Sequence, residues 1–256
     1  MMLIDTHAHL FADVFQNDIE EVVSRARAAG VERVLLPNID ETTIDDLQAA
    51  VRRYPDFFLP MMGLHPTSVT SEWEKQLLSI YQEIKRHPYI AVGEIGMDLY
   101  WDRSLQDAQM NAFEEQLRWS IEMDLPVAVH FRNATAEVVT SIKRVGEKAL
   151  RGVFHSFGGS KEELETLLQL KNFHVGINGV VTYRNGGLAE TLIHCPKESI
   201  VLETDSPWLT PAPRRGKRNE PANLSYILKK LAEIWGETEE EVAAQTSRNA
   251  TRLFHI

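Results

Sequence analysis

Six residues of this chain carry metal-ligand chemistry, and each stands near the end of a short apolar run: His7, His9, Glu94, His130, His155 and Asp205. His7 and His9 are two apart, so on an extended strand both imidazoles leave the same face and can share one cation. Taken alone, such a pair is weak evidence and reads more readily as two solvated or core histidines. Glu94 ends Ala91-Val-Gly-Glu94, where a buried carboxylate without a partner would be costly and would tend to take up a proton. A cation removes that cost, and so would an ion pair, for instance with Arg132. His130 closes Pro126-Val-Ala-Val-His130 and His155 closes Gly152-Val-Phe-His155, each with a helical segment following. Asp205, in Glu203-Thr-Asp205-Ser-Pro207, could ligate a metal, act as base toward a water, or cap a turn. The joint pattern outweighs its parts, because four histidines and two carboxylates suffice for two ions with one carboxylate as bridge. His87, His174, His194 and His255 fall at helix ends, a strand start and the terminus, and serve as an internal control. His65, in Gly63-Leu-His65-Pro66, is assigned to substrate contact, since the other ligands already suffice.

Residues scattered from position 7 to position 205 need a scaffold that gathers them. Short apolar runs at about 3–7, 33–37, 58–64, 90–95, 126–130, 151–155, 173–177 and 199–203 read as strands. Amphipathic segments near 18–29, 41–53, 72–86, 105–124, 135–148, 160–171, 187–194, 221–235 and 238–254 read as helices. Gly30 stops the first of these, and Ser160 with Glu163 forms a capping box for another. Strand and helix in alternation predict βα units and a mainly parallel sheet. The proposed ligands end strands one, four, five, six and eight, and only a closed ring brings those ends to one point. A (β/α)8 barrel, taken as one domain over 1–256, is therefore expected in preference to an open doubly wound sheet.

The length of 256 residues is the usual size of one such barrel. An apolar share of 43% with 25% charged residues excludes a disordered or fibrous chain. There is no signal-like start and no apolar run long enough for a membrane span, so a cytoplasmic protein without membrane contact is expected. Cys195, the single cysteine, has no disulfide partner within the chain. A net charge of −10 argues against a protein that coats nucleic acid, though not against an enzyme that grips one locally. The irregular stretch 206–220 concentrates Arg214, Arg215, Lys217 and Arg218, and long loops in compact domains are often functional.

The motifs Asp5-Thr-His7-Ala-His9, Gly63-Leu-His65-Pro66, Gly93-Glu94-Ile-Gly96-Met-Asp98, Pro126-Val-Ala-Val-His130-Phe-Arg132, His155-Ser-Phe-Gly-Gly-Ser and Glu203-Thr-Asp205-Ser-Pro-Trp-Leu resemble those of the TatD family of metal-dependent deoxyribonucleases. They run in the family's order from residue 3 to the C-terminal Asn249-Ala-Thr-Arg-Leu-Phe. The resemblance implies an amidohydrolase-like barrel with one ion on His7, His9, Asp205 and Glu94 and a second on Glu94, His130 and His155, with Glu94 as the bridge. Many relatives of this architecture bridge with a carboxylated lysine from the fourth strand, and no lysine occurs there. Thr67 and Asn133 depart from residues common in the family, and Tyr100, Trp101 and Arg103 look particular to this chain.

The expectation is a hydrolase that uses two divalent cations (Mg, Mn or Zn) to activate water against a phosphodiester, with Glu94 and Asp205 catalytic and Asp205 taking the proton. Arg132, Arg214, Arg215, Lys217 and Arg218 would hold phosphates, and Trp101, Trp208 or Tyr183 would stack a base of single-stranded or frayed DNA. Packing of loops against the barrel is the plainer reading of any one of those aromatics. Two alternatives stay open: a metal-dependent amidase or esterase, such as an aminoacyl-tRNA deacylase, and a noncatalytic metal-bound scaffold that binds nucleic acid. A monomer is the default.

Overall fold

Eight parallel strands form a ring wrapped by helices in this computed structural model, which describes residues 2–184 and 186–256. The strands are β1 (Leu3–Asp5), β2 (Val31–Pro37), β3 (Phe58–Met61), β4 (Val92–Asp98), β5 (Val127–Arg132), β6 (Gly152–Phe154), β7 (Phe173–Ile177) and β8 (Ile200–Leu202). The helices are α1 (Ile19–Ala28), α2 (Ile44–Arg53), α3 (Trp73–Arg86), α4 (Gln106–Met123), α5 (Thr135–Val145), α6 (Lys161–Leu167), α7 (Leu188–Leu192), α8 (Leu224–Trp235) and α9 (Glu239–Phe254). This is the expected (β/α)8 barrel. Among the described residues no helix is long and apolar enough to cross a membrane.

Pairing runs in two arcs, β1-β2-β3 and β4-β5-β6-β7-β8. Two single bridges join them, Met62 to Val92 and Ala8 to Ser206. The second seam is reinforced by a buried carboxylate. Asp5 accepts from the backbone N–H of Thr204 at 2.8 Å and from its hydroxyl at 2.6 Å. Burial pushes that carboxyl up to about 7 despite these bonds.

Side-chain alternation divides the core in two. Ile4, Leu35, Met61, Ala128, Val153 and Val201 form an inner cluster closed by Ala250, Leu253 and Phe254 of α9. The larger cluster lies between strands and helices. Two residues beyond an inner position the side chain again faces the lumen, now at the mouth: Ala128 leads to His130, Val153 to His155, and Val201 to Glu203.

Boundaries depart from expectation where glycine intervenes. The fourth strand, expected over about 90–95, continues as β4 to Asp98. Gly96, at φ +138, lies so close to β5 that a Cβ would stand 1.9 Å from the His130 carbonyl oxygen. Its missing side chain lets the ladder run on, pairing Gly96 with His130 and Asp98 with Arg132. The capping box at Ser160 is half made. Ser160 accepts from the Glu163 N–H, but the Glu163 carboxylate turns to the Thr135 hydroxyl. The reciprocal box occurs at Thr238 and Glu241.

Gly96→Ala adds a backbone clash to an unfavourable φ, so urea unfolding of the variant should show a loss of roughly 3 kcal/mol or more. A loss under about 1 kcal/mol would mean that β4 and β5 can part without cost.

Candidate metal centre

Glu94 lies at the heart of the mouth, 2% exposed, with its two carboxylate oxygens facing different histidines. Oε2 lies 3.0 Å from His7 Nε2 and 3.6 Å from His9 Nε2, and those two nitrogens are 3.2 Å apart. Oε1 lies 3.0 Å from His130 Nδ1 and 3.3 Å from His65 Nε2. Ligand atoms held about 2.0–2.2 Å from one ion stand about 3.0–3.5 Å from each other. Both sets therefore have the spacing of a coordination shell, and their donors are the imidazoles and carboxylate that divalent cations take. Among the described residues two His/Glu clusters share Glu94 and suit a pair of divalent metal ions, and a third group, His7 with His155 and Glu203, adjoins them. Arg132 is not Glu94's partner; its guanidinium lies 3.8 Å from the centre of the Tyr100 ring.

His155 and Asp205 stand between the clusters. His155 Nε2 is 3.9 Å from Glu94 Oε1 and 3.7 Å from Asp205 Oδ1, and its ring stacks on His7 at 3.5 Å. Asp205 Oδ1 is also 4.0 Å from His7 and 3.9 Å from His9. Asp205 has a left-handed backbone at φ +56, as do Asn133 and Ser156 just past β5 and β6.

The charges follow from burial and company. Burial opposes the Glu94 charge, but the imidazoles of His65, His7 and His155 and the bond to His130 hold its carboxyl well below the usual range. Burial raises Asp205 to about 8, with Glu94 and Glu203 adding to the rise. Burial likewise pushes His7, His9 and His155 below the usual imidazole value. His130 is also buried, yet hydrogen bonds to Asp98 and Glu94 raise it to about 9.

Three supporting groups escaped the sequence reading. Asp98 Oδ2 accepts from His130 Nε2 at 2.9 Å, leaving Nδ1 for Glu94. Glu203 Oε1 lies 3.0 Å from His155 Nδ1 and accepts from the Ser156 N–H at 2.7 Å. Glu203 fits over Gly176, where a Cβ would come within 2.2 Å of its carboxylate. Thr67 places its hydroxyl 2.7 Å from His65 Nδ1, so that Nε2 faces Glu94. The available signal was position, since each carboxylate lies two to four residues from a proposed ligand on a strand end. His65 itself, expected only as a substrate contact, is drawn into the cluster with Glu94 and His130.

A cavity of about 480 Å³ opens above the centre, lined by His9, Ile39, His65, Thr67, Trp101 and Trp208 among others. A second lobe of about 490 Å³ shares His130, Arg132, His155, Asp205 and Trp208 and runs toward Asn133, Val180 and Leu209. Trp101 and Trp208 are 76% and 51% exposed, as a stacking role requires. The four cations of the long loop line neither lobe. Arg218 is bound bidentately to Asp18 at 2.9 and 2.6 Å and covers Phe15. Its guanidinium is occupied, so the expectation that it holds phosphate is corrected. Arg215 lies over Tyr183, whose hydroxyl donates to the Thr210 carbonyl.

The sequence model of the family described as "TatD related DNase" matches residues 4–255. The chain belongs to the TatD family. Over 256 residues, all of both chains, it is 38% identical to the "uncharacterized metal-dependent hydrolase YabD" of Bacillus subtilis (strain 168). It is 34% identical over 261 residues to the "3'-5' ssDNA/RNA exonuclease TatD" of Citrobacter rodentium, covering 99% of this chain and 98% of the other. The crystal structure of YJJV, a TatD homolog from Escherichia coli K12, superposes with a TM-score of 0.91 at 30% identity, covering 99% of this chain and 98% of that one. With its two His/Glu clusters, this TatD-family chain is a metal-dependent hydrolase of the DNase type, acting on phosphodiester bonds.

Metal-stripped protein should take up two equivalents of Mn²⁺ or Zn²⁺ per chain by elemental analysis, and Glu94→Ala should lose most of both. One equivalent retained in full by the variant would rule out a shared carboxylate. Asp98→Asn should weaken metal binding by about 10–100-fold while leaving the unfolding midpoint of the metal-free chain nearly unchanged. Unaltered affinity would show that His130 needs no such anchor.

Proposed function

We propose that this chain shortens single-stranded DNA from one end, hydrolysing the terminal phosphodiester, with His7, His9, Glu94, His65, His130, His155 and Asp205 as the metal-holding set. The observation that carries this reading is the pair of Glu94 oxygens facing separate histidine sets at the floor of a cavity rimmed by exposed indoles and an arginine. A pair of divalent cations supplies a water of lowered pKa and neutralises charge on the phosphate. The protein's own groups do the rest. Asp205, 3.7 Å from His155 and 4.0 Å from His7, takes the proton of the attacking water as a carboxylate that bound cations would keep ionised. Arg132 is held flat by Tyr100 and lies 5.4 Å from the Trp101 ring, so its donors reach a phosphate beside the centre without first being ordered. Trp101 and Trp208 offer faces to an unpaired base, which favours single strands over intact duplex. The relatives described as 3'-5' ssDNA/RNA exonucleases support attack at the 3' end. A cytoplasmic setting fits the unpaired, buried Cys195.

End-labelled single-stranded DNA, incubated with metal-stripped protein to which Mg²⁺, Mn²⁺ or Zn²⁺ is restored, should show stepwise loss from the 3' end. Activity should vanish with chelator and fall at least about a thousandfold in Asp205→Asn. DNA left intact with every metal, beside turnover of a small ester or amide, would transfer the site to acyl hydrolysis.

A further inference from the structure

The two lobes meet over the metal centre and differ in what lies beyond them. The first opens past Trp101 onto the turn 100–104, where Asp102 and Arg103 leave no net charge. The second is lined by Gly158, Gly159 and Glu163 and also by Val180 and Leu209. Val180 and Leu209 belong to two segments tied into one corner. The Tyr183 hydroxyl donates to the Thr210 carbonyl at 2.9 Å, and the Ala212 N–H donates to the Thr182 hydroxyl at 2.7 Å. At Gly179 a Cβ would stand 2.0 Å from the Leu209 carbonyl oxygen, so the close approach requires glycine. The corner is anchored from behind by Thr210 to the Lys217 carbonyl, by Asn219 to the Thr204 and Trp208 carbonyls, and by Arg218 to Asp18.

Its outer face carries Arg184, Arg214, Arg215 and Lys217, all exposed. Among the described residues none of these four has an ion-pair partner, in a chain with a net charge of −10. Arg215 lies 4.6 Å from the centre of the Tyr183 ring, and that ring is tied through its hydroxyl to Thr210, the residue after the cavity-lining Leu209. Exposed, unpaired cations on two loops that also line a cavity lobe fit a flexible polyanion threading out of that lobe.

Resting on the nuclease reading, we infer that the body of the single strand leaves the active site through the second lobe and crosses the corner of Tyr183, Arg184, Arg214, Arg215 and Lys217, while the nucleotide to be released occupies the first lobe beside Trp101. The corner gives length dependence and takes no part in bond cleavage.

The test compares a single-stranded 20-mer with a dinucleotide, using the metal-loaded enzyme and a variant with Arg214→Ser, Arg215→Ser and Lys217→Ser. For the 20-mer, kcat/KM should fall at least tenfold, and the log–log salt slope of binding, followed by fluorescence anisotropy, should shrink by about 2 for the three charges removed. Dinucleotide turnover should stay within twofold. Equal loss on both substrates, or a 20-mer slope that does not change, would overturn the inference. If the unmutated enzyme cleaves neither substrate, the nuclease reading fails on its own, and the anisotropy slope still decides whether the corner binds the strand.

Discussion

A carboxylate that is almost wholly removed from water must be met by positive charge or shed its own, and the mouth of this barrel is organised around meeting it. Glu94 receives imidazole nitrogens on both oxygens. Those imidazoles are in turn held by groups that face away from it: Asp98 behind His130, Glu203 behind His155, and Thr67 behind His65. Asp98 and Thr67 hydrogen-bond the outer ring nitrogens of His130 and His65, and the Glu203 carboxylate stands beside that of His155. The order of dependence runs from the outer carboxylates and hydroxyl through the rings to Glu94, so the geometry of the centre is set well outside it.

The barrel and the identity of most site residues were legible because both rest on local rules. Apolar runs with period-two alternation mark strands, and metal-ligand side chains at their ends stand out against that background. His130 and His155 could be found this way, since each lies two positions beyond a lumen-facing residue, Ala128 and Val153. Partnership was not legible. Whether Arg132 would pair with Glu94 or stack on Tyr100, and whether His65 would touch substrate or join Glu94, depends on distances between strands far apart in sequence. Gly96 shows the limit well. The apolar run stops before it, whereas in space its bare backbone allows β5 to come close and carries the strand on to Asp98.

The loop after β8 was the other instructive case. Four cations in five residues invited one shared role, yet their surroundings separate them. Arg218 turns inward to Asp18, where it joins an ionic network with Arg25 and Glu220. The others remain on the outside. Composition can locate a basic loop, but only packing distinguishes the charge that fastens the loop from those that the loop displays.

The division of the strands into two arcs has a consequence for how the enzyme holds together. His7 and His9 follow the first strand of the shorter arc and His65 follows its last, while Glu94, His130, His155 and Asp205 all belong to the longer one. The two clusters that share Glu94 therefore draw histidines from both arcs, His7 and His9 for one and His65 for the other. Whatever bridges the two sets stitches the ring at its weakest joints, so the free energy of binding there is also free energy of closure. In that sense the catalytic centre is the clasp of the barrel as well as its cargo.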